Sequence, residues 1–166
     1  PTSVSFFFEL VYIMIKNTIE FSINKPFNDV LKSITEVKAT SPISKRTQKK
    51  KFSKNKYQYI VTIPYIPLIN LPSEIVFIDQ YYQDIEKKER FDFCENITAT
   101  DSFKIIISTC WFTMEHASQT FCSIMICIIP YISIPGFVLN MIMKEYTSDC
   151  MLFLNKVKLR VHNTSR

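Results

Sequence analysis

Few side chains in this chain have the types and spacing that catalysis requires. Its 166 residues include two histidines, His116 in a predicted turn and His162 near the end, and neither belongs to a recognisable metal or nucleophile motif. Asp92 and Glu95 share a predicted strand, where charge pairs with Lys or Arg on a neighbouring strand account for them better than acid–base chemistry does. Because a catalytic site needs an acid, a base and a nucleophile that converge, we predict that the protein is not an enzyme.

The glycine and cysteine content narrows the chemistry further. The chain has one glycine, which excludes Gly-rich phosphate loops, dinucleotide-binding fingerprints and the nucleophile elbow. Five cysteines lie in apolar segments, at spacings that form no CxxC pair: Cys94, Cys110, Cys122, Cys127 and Cys150. We expect buried free thiols in a reducing compartment, and we expect neither a metal ion nor a cofactor.

The net charge of +5 comes largely from one basic run between Lys45 and Lys56. Anionic lipid head groups attract such runs, by about 1 kcal/mol for each Lys or Arg near the surface. A solvated linker is an alternative interpretation. Nucleic acid is not expected, because only Phe52 and Tyr57 are available to stack on bases. The residues that we assign to anionic-lipid attraction are Lys49, Lys50, Lys51 and Lys54.

An uncharged stretch over residues 117–143 is compatible with two architectures. Its length suffices to cross a bilayer, which takes ~20 apolar residues, so one alternative is a single-span integral membrane protein with its transmembrane segment near 121–143. Pro130, Pro135 and Gly136 would break such a helix near its centre. We favour a buried strand, a tight turn and the start of a long amphipathic helix.

The remaining patterns predict short strands and one further helix. Asn24 and Pro26 favour the start of a short helix that ends near Ser33 or Ile34, followed by a long exposed connection over 35–56. Consecutive strands with short turns are typical of an antiparallel meander. Apolar residues at i, i+3, i+4 and i+7 predict a final one-faced helix of about 25 residues from Pro135. The predicted strands cover 18–23, 57–63, 74–82, 90–95, 103–114 and 120–129.

This order of elements resembles the helix-grip arrangement of the StART-like lipid-transfer superfamily, and within it the VASt domains of sterol transporters. The similarity lies in the strand-to-helix step at 21–31, the proline-containing loop and its strands at 59–82, Asp101-Ser102-Phe103, and the closing helix at 134–158. The resemblance implies an α+β fold in which a curved antiparallel sheet wraps around a long C-terminal helix.

The domain organisation follows from the same comparison. Residues 1–16 form an apolar N-terminal segment of uncertain role, and residues 17–166 form a single StART-like (VASt-like) domain with a basic loop at 41–56. Since the chain begins at Pro1, we expect it to be part of a longer protein.

The resemblance implies that the domain binds a sterol or another lipid in an internal apolar cavity and moves it between membranes without bond chemistry. In the resembled family the proline-containing loop gates the pocket and touches the membrane, which implies membrane docking by Tyr65, Ile66, Leu68, Ile69 and Leu71. We expect an intracellular protein, peripheral at a membrane or membrane contact site. The other alternative is a non-enzymatic interaction module whose cavity is filled by its own side chains. The predicted lining residues are Phe91, Phe93, Ile105, Ile107, Phe121, Ile126, Leu139, Ile142, Met143 and Tyr146.

Overall fold

Seven antiparallel strands form one sheet, and two helices cover one of its faces. The computed structural model of the chain describes residues 14–40, 46–62, 72–114 and 118–163. Within these ranges the elements are β1 (Ile15–Ile23), α1 (Phe27–Thr40), β2 (Arg46–Ser53), β3 (Lys56–Thr62), β4 (Glu74–Asp84), β5 (Glu89–Asn96), β6 (Phe103–Thr113), β7 (Thr120–Pro130) and α2 (Gly136–Asn163).

The strand order in the sheet is β1-β7-β6-β5-β4-β3-β2. Strands β2 to β7 are neighbours in sequence and in space, which confirms the predicted antiparallel meander. The first strand closes the order by pairing with the last, from Ile15 opposite Ile128 to Ile23 opposite Thr120. This pairing places the first and last strands side by side at one edge of the sheet.

The uncharged stretch folds as a strand, a turn and the start of a helix, as predicted. Strand β7 ends at Pro130, and α2 begins at Gly136. The carbonyl of Pro135 accepts hydrogen bonds from the amides of Val138 and Leu139, which satisfies two of the free N–H groups that every helix start presents. Within the described ranges, every helix is too short or too polar to span a bilayer.

Two predicted element boundaries are wrong. Helix α1 continues to Thr40, because buried Val37 extends its apolar stripe and tertiary packing outweighs the weak helix propensity of the Ser and Thr residues. The basic segment is mostly not a loop: it forms the edge strand β2, where lysines discourage pairing with a second sheet. The expected boundary after residue 16 falls inside β1.

The core lies between the concave face of the curved sheet and the two helices. From α1 it receives Phe27, Val30, Ile34 and Val37. The predicted apolar face of the long helix is confirmed, and its buried apolar and cysteine residues are Val138, Leu139, Ile142, Met143, Tyr146, Cys150, Leu154, Val157 and Val161.

Candidate functional site

Strand β5 turns Arg90 and Asp92 toward the core and Phe91 and Phe93 away from it. Arg90 and Asp92 are 2% and 6% exposed, whereas Phe91 is 45% exposed and Phe93 shares its outward face. The prediction that Phe91 and Phe93 line a cavity is therefore wrong. In the sequence the face of β5 with two phenylalanines resembles the core face, because burial of unpaired charges is costly. In the structure Arg90 and Asp92 form an ion pair, which allows the opposite face to be buried.

The inward charges belong to a group that we call the ionic cluster, formed by Lys38, Asp79, Arg90 and Asp92. Arg90 grips Asp92 with two parallel hydrogen bonds, from Nε to Oδ2 at 3.0 Å and from Nη2 to Oδ1 at 3.1 Å. The side chain of Lys38 extends from the last turns of α1 toward the sheet. Its ammonium group donates hydrogen bonds to Asp92 Oδ1 at 2.8 Å and to Asp79 Oδ2 at 3.2 Å. The cluster thus joins α1 to the inner face of β4 and β5.

The guanidinium of Arg90 is held on two further sides. Its carbon lies 3.8 Å from the centre of the Tyr81 ring, a distance at which cation–π attraction is strong. Its Nη1 lies 3.5 Å from Oε1 of Gln83. A planar fork that binds a carboxylate at two points and stacks on an aromatic ring is an arrangement that lysine cannot reproduce. Arg90 therefore holds the carboxylate of Asp92 in a fixed position within the ionic cluster.

The charges of the cluster stabilise one another. Burial alone would lower the pKa of Lys38, but the carboxylates of Asp79 and Asp92 outweigh it and raise the pKa above its usual value. Burial alone would raise the pKa of Asp92, but Lys38 and Arg90 outweigh it and hold the pKa below its usual range. A lysine nucleophile must lose its proton. Lys38 is instead a fixed cation, an arrangement that suits binding rather than covalent chemistry.

A small cavity of about 50 Å³ lies beside the cluster. One water molecule takes roughly 30 Å³ in the liquid, whereas pockets for small molecules measure roughly 300–1,000 Å³. The cavity therefore fits a small polar group but not a whole lipid. The cavity lies in the groove between the concave face of the sheet and α2. Its walls include charged Lys38, Asp79 and Asp92 on one side and apolar Ile107, Ile124 and Phe153 on the other.

One carboxylate oxygen at this cavity accepts no hydrogen bond from the described residues. Asp79 Oδ1 is buried and has no hydrogen-bond partner among the residues that the structure describes, although its Oδ2 accepts from Lys38. Trp111 lies opposite Arg90 in the register of β5 and β6. Its indole N–H is also buried without a hydrogen-bond partner in the described ranges. Because buried polar atoms almost always have partners, these two atoms mark the concave face as a place where a ligand can add hydrogen bonds.

Each of the five cysteines is a thiol and not half of a disulfide within the described ranges, and Cys94 and Cys150 border the same cavity. Cys110 is only half-buried. Burial raises the pKa of the Cys122 thiol well above its usual value, which disfavours the reactive thiolate. Across the described ranges, no group of three His, Cys, Asp or Glu side chains is arranged to hold a metal ion.

The other predicted lining residues fall into three sets. Phe121 stacks on Phe112, with ring centres 5.8 Å apart, and both strands turn these residues outward, so the prediction for Phe121 is wrong. Ile107 borders the cavity. Six more are buried between the sheet and α2, without bordering the cavity: Ile105, Ile126, Leu139, Ile142, Met143 and Tyr146.

The residues predicted to meet a membrane are only partly described. The docking-loop residues Tyr65, Ile66, Leu68, Ile69 and Leu71 lie outside the described residues, as does the side chain of Lys49. Lys50, Lys51 and Lys54 are exposed on β2 and its turn. Lys50 lies over the half-exposed ring of Phe52, with 5.0 Å from its Nζ to the ring centre.

The ionic cluster was missed because the sequence signal is small. Asp79 lies on the same face of β4 as Ile75 and Phe77, so one carboxylate interrupts an otherwise apolar face. Arg90 and Asp92 have the spacing of strand neighbours on one face. An acid that interrupts one predicted inner face and an Arg-x-Asp pair on the next strand are together the signal that would have located the site. Lys38 is not visible in this way, since α1 was predicted to end before it.

Comparison with known proteins gives structural neighbours but no relatives in sequence. No protein-family model matches the chain, and no curated protein matches it. The Zhui aromatase/cyclase from Streptomyces sp. R1128 has a TM-score of 0.63 and 11% identity, over 92% of this chain and 96% of that one. Norcoclaurine synthase from Thalictrum flavum, solved with dopamine and hydroxybenzaldehyde, has a TM-score of 0.57 and 9% identity over 93% and 90%.

A third neighbour is the human StarD13 lipid transfer and protein localization domain. It has a TM-score of 0.52 and 9% identity, over 89% of this chain and 76% of that one. Identities this low establish the fold alone. The chain has a helix-grip fold, so the predicted fold class is confirmed.

Proposed function

We propose that this domain binds a sterol or another lipid in the groove between the concave face of the sheet and α2, and that it transfers the lipid between membranes. The observation that carries the proposal is the cavity at the ionic cluster, where Asp79 keeps one buried oxygen without a hydrogen-bond partner among the described residues. A ligand would place its polar head there and its apolar body along the isoleucines of β6 and β7. No residue is asked to make or break a bond.

The apolar side of the groove supplies the binding free energy. Burial of apolar surface contributes roughly 25 cal/mol per Å², so a lipid body of 300 Å² would gain about 7 kcal/mol before the costs of binding. One neighbour is described as a lipid transfer domain, and two others are enzymes that share the same helix-grip fold. These neighbours support a ligand in the groove.

The groove must open to admit a lipid, because its cavity now measures about 50 Å³. Helix α2 packs most closely against α1, β1 and β7. The side over β4 and β5 is joined to α1 through the ion pairs of Lys38 with Asp79 and Asp92, and to α2 through the ring contact of Phe77 with Tyr146. We therefore place the opening on that side, where separation breaks the ion pairs of Lys38 and the contact of Phe77 with Tyr146 and leaves the packing of α2 on α1, β1 and β7 in place.

The basic hairpin of β2 and β3 is the second part of the proposal. Residues 46–62 contain six Lys or Arg residues and no Asp or Glu. Lys50, Lys51 and Lys54 are exposed at one edge of the sheet, with Phe52 half-exposed beside them. We propose that this edge attracts the domain to anionic membranes, at which it acts peripherally, while residues 65–71 dock.

The test uses the full chain, purified without detergent and analysed by lipid extraction and mass spectrometry. Transfer of a fluorescent lipid between liposomes is measured in parallel. Ile107→Phe narrows the groove, and Ile106→Phe places the same added volume on the outward face of the same strand as a matched control. We expect about one bound lipid per chain, with binding and transfer lost in Ile107→Phe and retained in Ile106→Phe.

Two results would overturn the proposal. A folded wild-type chain that carries no lipid and transfers none would show that the groove is filled by its own side chains, as in an interaction module. Equal transfer by the two variants would show that the lipid does not enter between the sheet and α2.

A further inference from the structure

We propose that the polar end of the groove selects a long-chain lipid with a single protonated amine, and that Asp79 binds this amine. The inference rests on the proposed function, since it names the class of lipid that the groove takes. It starts from one atom: Asp79 is 6% exposed, borders the cavity, and keeps Oδ1 without a hydrogen-bond partner among the described residues.

A carboxylate oxygen only accepts hydrogen bonds, so the ligand must supply a donor. The side chains of Asp79, Asp92 and Asp149 border the cavity with Lys38 as the one cation among its described lining residues. The second cation nearby, Arg90, is committed to Asp92 and stacks on Tyr81. Because Oδ1 of Asp79 is a carboxylate oxygen that Lys38 does not use, a positively charged donor gains more there than a neutral one.

The cations at the cavity are already paired with carboxylates, so they are not available to bind an anionic head group. Lys38 already donates to Asp79 at 3.2 Å and to Asp92 at 2.8 Å. A fatty acid or phosphate would have to break these contacts and would approach Asp79 as a like charge. An amine can instead add to the oxygen that Lys38 does not use.

The size of the cavity points to a small head group. About 50 Å³ accommodates an ammonium or hydroxyl group and little more. A phosphocholine or sugar head would need the ionic cluster to be dismantled. The apolar body then lies toward Ile107, Ile124 and Phe153, on the other wall of the same cavity.

The experiment compares three probes with one chain length: hexadecylamine, hexadecanol and hexadecanoic acid. Each displaces a fluorescent fatty probe from the full-length protein, below the aggregation concentration of the probes. We expect the amine to bind at least about tenfold more tightly than the alcohol, and the acid to bind most weakly, because a charged hydrogen bond exceeds a neutral one by about that factor.

The variant Asp79→Asn removes the charge and keeps the shape. We expect its affinity for the amine to fall by about tenfold or more, with a change of less than about threefold for the alcohol. Asp84→Asn, at the exposed end of the same strand, is the matched control and leaves the preference unchanged. The probe series on the wild-type chain stands even where Asp79→Asn fails to fold.

Equal binding of all three probes by the wild-type chain would overturn this inference and leave lipid binding intact. Preference for the alcohol or the acid would overturn it in the same way. Failure to bind any of the three, together with absence of any extracted lipid, would instead overturn the proposed function.

Discussion

Both halves of the concave face of the sheet bury apolar residues, but the half on β4 and β5 buries charged residues as well. Along one row of paired residues, Ile126 lies opposite Ile107, Ile107 opposite Cys94, and Cys94 opposite Asp79. The surface therefore changes from isoleucine to carboxylate within four strands. The apolar half, on β6 and β7, buries Ile105, Ile107, Ile124, Ile126 and Ile128. The ionic half, on β4 and β5, buries Asp79, Arg90 and Asp92.

This difference separates stability from selectivity. Burial of isoleucine stabilises the fold directly, in proportion to the apolar area removed from water. A buried ion pair loses much of its Coulomb energy to desolvation, so hydrophobic residues in its place often serve stability as well or better. The ionic half is therefore better explained by the ligand that we propose for it than by the stability that it adds.

The largest expected effect comes from breaking the ion pairs that join the ionic half to α1. Lys38→Met leaves Asp79 without an ion-pair partner among the described residues and removes one of the two ion-pair partners of Asp92. Removal of one member of a buried ion pair costs about 3–5 kcal/mol. We expect a loss of about 4 kcal/mol in the free energy of unfolding, measured with urea.

Lys32→Met, on an exposed position of the same helix, is the control and should change stability by less than about 0.5 kcal/mol. A loss below about 1 kcal/mol for Lys38→Met would mean that the cluster does not depend on its helix cation.

The apolar half should respond to loss of volume. Ile126→Ala empties a position that is fully buried between the sheet and the helices. Such truncations cost about 2–5 kcal/mol, and we expect about 3 kcal/mol by urea denaturation. Ile106→Ala, on the outward face of β6, should cost less than half as much. Equal losses would show that the concave face does not form the core.

The pH dependence of unfolding distinguishes the halves in another way. The folded pKa of Asp92 lies below its unfolded value because of Lys38 and Arg90, which outweigh burial. Its contribution is therefore present above about pH 4 and lost as the pH falls through the folded pKa. Lys38 has a raised pKa, so its contribution is complete below about pH 10.4 and is lost only as the pH rises toward the folded value.

We expect the wild-type free energy of unfolding to fall below pH 4 and that of Asp92→Asn to fall less steeply, in urea titrations at several pH values. Parallel curves for the two proteins would show that other carboxyl groups account for the acid sensitivity.

A smaller effect is expected at the end of the apolar half, where β7 meets the start of α1. The hydroxyl of Thr120 donates to the backbone carbonyl of Lys25 at 2.8 Å, and Thr120 is fully buried. Thr120→Val keeps the shape and leaves that carbonyl without this donor, at a cost of about 1 kcal/mol. A melting temperature unchanged by the substitution would show that the bond is not formed in solution.

The smallest effect tests which face of β5 is buried. Phe91→Ser replaces an aromatic residue that is 45% exposed, and we expect a change of less than about 0.5 kcal/mol. Were Phe91 in the core, the same change would cost several kcal/mol, as seen for Phe truncations in interiors. Urea denaturation separates the two cases.

The sequence predicts those parts of the fold that depend on local pattern. Pro130, Pro135 and Gly136 locate the turn before α2, and the spacing from Leu139 to Val157 locates its buried face. Alternation predicts that Phe91 and Arg90 lie on opposite faces of β5, but the choice of inner face depends on partners elsewhere in the chain. Asp92 is neutralised by Lys38, which is 54 residues away. No local pattern reports such a partner.

The basic segment illustrates the same limit. Its composition resembles that of a solvated linker, yet β3 provides the backbone partners that make residues 46–53 an edge strand. The candidate site was therefore predictable as a groove between sheet and helix, whereas its ionic end required the tertiary structure.

The most direct test of the central claim uses the single tryptophan of the chain. Trp111 is fully buried on the concave face of β6, beside the proposed path of the lipid body. Its fluorescence is measured while the full-length protein is titrated with a long-chain lipid brominated along its chain, since bromine quenches tryptophan only at close range. We predict saturable quenching at about one lipid per chain in the wild-type protein and in Ile106→Phe, and little quenching in Ile107→Phe. Stoichiometric binding without quenching would contradict the account, because the lipid would then lie outside the groove.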